Sequence, residues 1–219
     1  MTTRWTRSKA PNGRGRADGD WFQSRGRIMH ALVVFESMFG NTAAIARAVA
    51  SGLAVKLETG VYEVGVAPRV LAESTGLLVV GGPTHAFGMS RAGTRETAAR
   101  EAGDRLISKG IGVREWLDAF QFPRWGVAGA AFDTRIDRPR FPGAAANAIA
   151  RRLRRAGVSP VLSAESFYVS ATDGPLLEGE LERARRWGES LASTMVKPLL
   201  GQAFGVVFDS VEGAPSPAS

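Results

Sequence analysis

Short apolar runs alternate along the chain with amphipathic segments. Residues 31–35 (Ala-Leu-Val-Val-Phe) and 77–80 (Leu-Leu-Val-Val) are continuous apolar runs, which are typical of parallel strands buried on both faces. Residues 41–56 instead place Ile45, Val49 and Leu53 four positions apart, which predicts a helix with one buried stripe. The pattern indicates an α/β domain.

Further segments extend this alternation to five strands. Predicted strands cover residues 30–36, 61–66, 76–81, 125–131 and 161–169, and predicted helices cover 41–56, 94–107, 113–120, 142–156 and 176–193. Strands interleaved with helices predict a three-layer, doubly wound, five-stranded parallel sheet. Right-handed crossovers put helices on both faces and functional loops at the carboxyl ends of the strands.

Two segments fall outside this pattern and are expected to be tails. Residues 1–28 are rich in Arg, Gly and Ser without periodicity, so we expect a disordered basic tail. Residues 196–219 are expected to form a C-terminal tail, which leaves 29–195 as the folded domain. Met29 stands directly before the first predicted strand, so translation could start there or at Met1.

Charge and composition argue against several classes of function, among them nucleic-acid binding, thiolate chemistry and metal binding. The net charge is +7, and most of it lies in residues 1–28, which hold seven Lys and Arg against two Asp. The rest of the chain is nearly neutral, with 21 basic and 19 acidic residues. A basic face for nucleic acid is therefore not expected. The lack of cysteine excludes disulfides and thiolate chemistry, and two histidines make a metal site unexpected. No apolar run approaches the ~18–20 residues of a membrane span, so we expect a cytoplasmic protein with no membrane partner.

The loop after the first strand has the composition of an anion site. It reads Ser37-Met38-Phe39-Gly40-Asn41-Thr42 and leads directly into a predicted helix, whose amides and dipole favour negative charge. The alternative is plain helix capping by Asn41 or Thr42. The loop has neither the Lys of a triphosphate P-loop nor a GxGxxG fingerprint. The third strand ends in Gly81-Gly82-Pro83 without the carboxylate that a receiver domain needs, which leaves a single phosphate as the expected ligand.

Three segments together resemble the flavodoxin family. The first is Ser37-x-Phe39-Gly40-Asn41-Thr42, which is similar to that family's phosphate loop, and residues 82–89 and 132–135 fall where the family places its two isoalloxazine loops. The resemblance covers about residues 29–193 and implies strand order 2-1-3-4-5 with FMN as cofactor. It implies FMN contacts from Ser37, Met38, Phe39, Gly40, Asn41, Thr42, Pro83, Thr84, His85, Phe87, Gly88, Phe132, Asp133, Thr134 and Arg135.

The sequence departs from standard flavodoxins at two points. Phe39 stands where they have a third hydroxyl residue, and an aromatic residue there is more similar to flavodoxin-like NAD(P)H:quinone reductases. The Trp and Tyr that commonly sandwich the flavin are absent, so His85, Phe87 and Phe132 are the expected substitutes.

The resemblance implies electron transfer through FMN and requires no catalytic side chain. Two roles stay open: a carrier that exchanges electrons with a redox partner protein, and a small oxidoreductase that takes hydride from NAD(P)H and reduces a quinone-type acceptor. A third interpretation, from another class, is a fold relic without flavin that serves as a protein-interaction module.

Overall fold

The computed structural model describes residues 29–121, 126–137 and 143–203, with side chains described as far as residue 196. Both expected tails lie outside this range, apart from residues 196–203. In chain order the elements are β1 (His30–Phe35), α1 (Asn41–Leu53), β2 (Glu58–Glu63), β3 (Thr75–His85), β4 (Gly88–Met89), α2 (Ala92–Ala102), a 3-10 turn (Gly103–Arg105), α3 (Val113–Ala119), β5 (Ala128–Ile136), α4 (Ala145–Arg155), β6 (Ser159–Pro160), β7 (Glu165–Val169) and α5 (Glu180–Ala203).

The sheet confirms the predicted parallel architecture. The order is β2-β1-β3-β5, with β6 and β7 both pairing with β5, and all these pairs are parallel. The five predicted strands thus stand in the order 2-1-3-4-5. The short strand β4 turns back antiparallel onto the end of β3.

Several predicted boundaries were wrong, chiefly because strand pairing continues into segments that look like loops. Strand β3 runs on to His85, and β5 starts at Ala128 and runs on to Ile136, with Pro83 opposite Thr134. Only the second half of the predicted fifth strand forms a strand, β7, and the short β6 lies before the predicted segment. Helix α2 ends at Ala102, and α5 continues to Ala203.

Two apolar layers cover the two faces of the sheet. Alternate residues of β1 point to opposite sides: Val33 packs with residues of α1 and α5, and Val34 packs with residues of α3 and α4. Trp116 on α3 is fully buried in the second layer, and Trp125 lies outside the described residues. The three-layer arrangement leaves the carboxyl ends of the strands as the edge where loops meet.

Helices α1 and α5 approach each other so closely that two glycines are required. A Cβ at Gly52 would lie 2.0 Å from the carbonyl oxygen of Arg185, and one at Gly188 would lie 2.2 Å from the carbonyl oxygen of Val49. This close contact fixes α1, and with it the loop before α1, against the body of the domain.

Across residues 29–121, 126–137 and 143–203, we find no helix that is both long enough and apolar enough to cross a membrane.

Candidate functional site

Helix α1 begins with backbone amides that have no acceptor in the described part of the chain. Its N-cap is Gly40, at φ +97°, and no described side chain caps the helix. The first helical bond runs from the Ala44 amide to the Gly40 carbonyl, over 3.0 Å. The amides of Asn41, Thr42 and Ala43 therefore precede the ladder and make no hydrogen bond to any described residue. Capping by Asn41 or Thr42, the alternative raised from sequence, is wrong.

The loop before α1 is held from behind by a segment that follows α2. The Ser37 amide donates to Ser108 Oγ and the Ser108 amide donates to the Ser37 carbonyl, both over 2.9 Å. Ile107 donates its amide to the Met38 carbonyl, and the Gly40 amide donates to Ser37 Oγ. Met38 itself is buried. These bonds fix the loop before any ligand arrives.

A second loop closes over the start of α1. Asn41 Nδ2 donates to the Asp173 carbonyl over 3.0 Å, and a Cβ at Gly174 would contact the Asn41 side-chain amide at 2.7 Å. The Asn41 side chain is thus bound within the protein, and its backbone amide is the group left for a ligand.

A cavity of about 260 Å³ lies between these loops at the carboxyl edge of the sheet. Its only ionisable lining side chains among the described residues are His85 and Arg135, so the cavity carries no carboxylate. Its neutral and cationic walls suit an anion. The lining residues are Ser37, Met38, Phe39, Asn41, Thr42, Pro83, Thr84, His85, Ala86, Thr134, Arg135, Ile136, Val169 and Thr172.

His85 presents a neutral imidazole to this cavity. Burial lowers the pKa of His85, and the nearby positive charge of Arg95 lowers that pKa further. At neutral pH the side chain is therefore a hydrogen-bonding ring and not a cation. Arg135, whose Nη1 donates to the Gly143 carbonyl over 2.8 Å, supplies the positive charge of the lining.

Thr84 and Asp133, predicted to edge the ring, are joined to each other and to α4. Thr84 Oγ1 donates to Asp133 Oδ2 over 2.6 Å and accepts from the Ala145 amide, while Asp133 Oδ2 also accepts from the Ala146 amide. The two side chains thereby cap the N-terminus of α4. Asp133 is fully buried and does not line the cavity.

Phe132 and Phe87 were both expected as substitutes for the flavin-stacking aromatics, and the structure places them differently. Phe132 is fully buried, with its ring edge-on to Phe167 and Trp187, so it belongs to the core and not to the cavity wall. Phe87 is 56% exposed at φ +70° on the turn between β3 and β4. It stands outside the cavity, as does Gly88.

The hydroxyls of Thr42 and Thr134 meet across the cavity floor. Their oxygens are 2.6 Å apart, and both residues are buried. This contact joins the first turn of α1 to strand β5. The structure therefore brings the predicted phosphate loop and the second predicted ring loop into direct contact.

The sequence interpretation missed several residues of the site. Val169 and Thr172 line the cavity from the end of β7, and Ser108 supports the loop from behind. The loop after the fifth predicted strand had to lie at the carboxyl edge of the sheet, so the sequence could have predicted Thr172 as a site residue. No local pattern indicates Ser108, because its role depends on a contact 71 residues away in sequence.

Glu36, directly before the loop, is a buried acid that the sequence interpretation also missed. Its Oε2 accepts from the Val113 amide over 2.8 Å, and Oε1 has no partner among the described residues. Burial raises the pKa of Glu36, against the lowering effects of a hydrogen bond from Ser90, the Val113 amide and the charge of Arg95. The carboxyl group stands next to the anion-binding loop without adding to the cavity lining.

Comparison with solved structures identifies the fold. A flavodoxin from the domain Archaea matches with TM-score 0.52 and 21% identity over 77% of this chain and 99% of that one. Oxidised Flavodoxin 1 from Bacillus cereus matches with TM-score 0.53 and 17% identity, over 75% and 97% of the two chains. The flavodiiron protein from Giardia intestinalis matches with TM-score 0.50 and 20% identity, over 78% of this chain and 38% of that one.

These likenesses, together with the parallel sheet, show that the chain has a flavodoxin-like fold. A Streptococcus pneumoniae TIGR4 flavodoxin agrees, with TM-score 0.53 and 19% identity over 75% of this chain and 98% of that one. No family model matches the sequence, and no curated protein matches it significantly.

Proposed function

We propose that this chain binds FMN and holds its phosphate at the N-terminus of α1. The observation that carries the proposal is a set of three amides, Asn41 to Ala43, which no described residue bonds, beside a cavity that no described carboxylate lines. A dianionic phosphate accepts such bonds readily, and the helix dipole adds to them. Gly40 leaves open space at the position where a Cβ would stand, so a ligand can approach the backbone there.

The remaining cavity wall suits the ring end of FMN. Thr84 and His85 border it, together with Pro83, and Phe39 and Arg135 stand at its sides. The volume of about 260 Å³ is close to the lower limit of roughly 300 Å³ for small-molecule sites. The outer edge of a bound ring would therefore stay open to solvent, beside Phe87. Phe132 has no part in this proposal, and Asp133 acts only through Thr84 and α4.

Bound FMN would supply the redox chemistry, and the protein would bind it, orient it and adjust its potential. Flavodoxins and flavodiiron proteins among the structural neighbours support an electron-transfer role. The proposal includes a cytoplasmic location and a redox partner, either a protein or a small quinone-type acceptor. Under the competing hypothesis, an interaction module without flavin, water would bond to the first amides of α1.

The flavin content of the purified full-length chain tests the proposal. We expect protein made in a flavin-replete host to release FMN on denaturation, identified by chromatography against FAD and riboflavin, at close to one per chain. A colourless protein that stays colourless after incubation with FMN would favour the interaction module.

Within the flavin proposal, one observation favours a small oxidoreductase over a carrier. No Trp or Tyr from the described residues lines the cavity, and Trp116 and Trp187 pack in the two core layers. At least one flavin face would then be open to a nicotinamide, which must approach within about 3–3.5 Å for hydride transfer. Anaerobic mixing of the FMN-loaded chain with NADPH or NADH tests this role. Loss of the flavin absorbance within seconds indicates an oxidoreductase, and loss only after a flavoprotein reductase is added indicates a carrier.

A further inference from the structure

The pair of hydroxyls at Thr42 and Thr134 has one proton more than the described contacts use. Their oxygens lie 2.6 Å apart, so one O–H fills the space between them. The other hydroxyl retains its own proton, and no other described group bonds to either oxygen. Each threonine is more than nine-tenths buried, at 2% and 5% exposure, and both line the cavity. A buried hydroxyl donor without an acceptor is costly, so a group that enters the cavity, whether water or a ligand, is expected to accept it.

Two arrangements of the pair are available. In the first, Thr134 donates to Thr42, and the Thr42 proton is free for a group at the start of α1. In the second, Thr42 donates to Thr134, and the free proton is that of the Thr134 hydroxyl on β5. Because a hydrogen bond to a charged acceptor is about twice as strong as a neutral one, a phosphate beside the α1 amides favours the first arrangement.

We propose that Thr134 is a positioning residue for phosphate: its hydroxyl donates to Thr42 and thereby directs the Thr42 proton to the phosphate of FMN. This inference rests on the proposed function and assigns Thr134 a role different from the ring contact expected from the sequence. Donation from Thr134 also polarises the Thr42 hydroxyl, which strengthens its own donated bond. The effect of Thr134 should therefore depend on whether the ligand carries a phosphate.

The test measures dissociation constants for FMN and for riboflavin, which lacks the phosphate. We expect Thr134→Val in the full-length chain to weaken FMN binding roughly three- to ten-fold, the worth of one ordinary hydrogen bond, with riboflavin affinity unchanged. Thr134→Ser keeps the hydroxyl and should bind FMN as the parent does. In a Thr42→Val background, Thr134→Val should have no further effect, because the residue through which it acts is gone.

Several outcomes would overturn the inference. Equal losses for FMN and riboflavin would mean that Thr134 contacts the ring or only supports the fold, and unchanged or tighter FMN binding would mean that the pair is arranged the other way. If the valine variant does not fold, as judged by circular dichroism, Thr134→Ala takes its place with the same expectations. Failure of the parent to bind either flavin would instead contradict the proposed function, so the two failures are distinguishable.

Discussion

The Thr84 hydroxyl and the Asp133 carboxylate share a hydrogen bond of 2.6 Å that joins the ends of β3 and β5. Both side chains also accept amides from the first turn of α4. Two residues that the family resemblance assigns to the flavin ring thus hold β3, β5 and α4 together. Their first role in this chain is to fix the shape of the cavity.

Thr84→Val should destabilise the domain. The variant removes the acceptor for the Ala145 amide and the donor to Asp133, so we expect a loss of about 1–2 kcal/mol in the free energy of unfolding. Urea denaturation followed by circular dichroism measures it. Thr97→Val is the matched control, since the Thr97 hydroxyl bonds only within its own exposed helix. Equal effects of the two substitutions would contradict the capping role of Thr84.

Gly40→Ala should reduce both stability and FMN affinity. At φ +97° a side chain is strained whatever space surrounds it, and the strain costs on the order of 1–2 kcal/mol. Relaxation of that strain would also shift the amides that follow. Gly110→Ala is the control, because a Cβ there meets nothing within 4 Å and no positive φ applies. If Gly40→Ala behaved like Gly110→Ala in unfolding and in FMN titration, the left-handed conformation of Gly40 would contribute to neither stability nor FMN affinity.

Glu36 should make the stability of the domain depend on pH. Its pKa in the folded state lies above the ordinary value of 4.5, because burial disfavours the charged form. Its contribution to stability is therefore fully present below pH 4.5 and is lost as the pH rises through the raised folded pKa. The charges that face it are Arg95, which opposes the rise, and Glu115, which adds to it.

Glu36→Gln should remove the pH-dependent contribution of Glu36 to the free energy of unfolding, while it keeps an acceptor for the Val113 amide. Denaturant unfolding across the range from pH 4.5 to 8 should show a smaller decline of the free energy of unfolding for the variant than for the parent. Glu96→Gln, at an exposed position on α2, controls for the loss of one negative charge. Parallel pH profiles for the parent and Glu36→Gln would show that the carboxyl group does not titrate in this way.

Gly52→Ala should disrupt the contact between α1 and α5. The added Cβ would meet backbone at 2.0 and 2.8 Å, which forces the helices apart and costs about 2–3 kcal/mol. Gly93→Ala on α2 meets nothing within 4 Å and should instead stabilise its helix by up to about 1 kcal/mol. Thermal melts of the two variants should therefore shift in opposite directions. A Gly52→Ala variant as stable as the parent would contradict the close packing of these helices.

The sequence predicted the sheet well because its central strands are continuous apolar runs, and such runs have few alternatives in an α/β chain. It failed at Phe132 because β5 was expected to end at residue 131. Ala128, Ala130 and Phe132 share one face of that strand, so a longer strand would have placed the ring in the core. The bonds of Ser108 and Thr134 join distant segments, and no local pattern encodes them.

Titration of the flavin-free full-length chain with FMN, followed by flavin fluorescence, measures whether the N-terminus of α1 binds the phosphate of FMN. The first three amides of α1 bond to no described residue, and no described carboxylate lines the cavity beside them. We therefore expect saturable binding of one FMN per chain, with a dissociation constant in the micromolar range or below, and weaker binding of riboflavin. No saturable change up to tens of micromolar FMN, or equal affinity for riboflavin, would contradict a phosphate site at the N-terminus of α1.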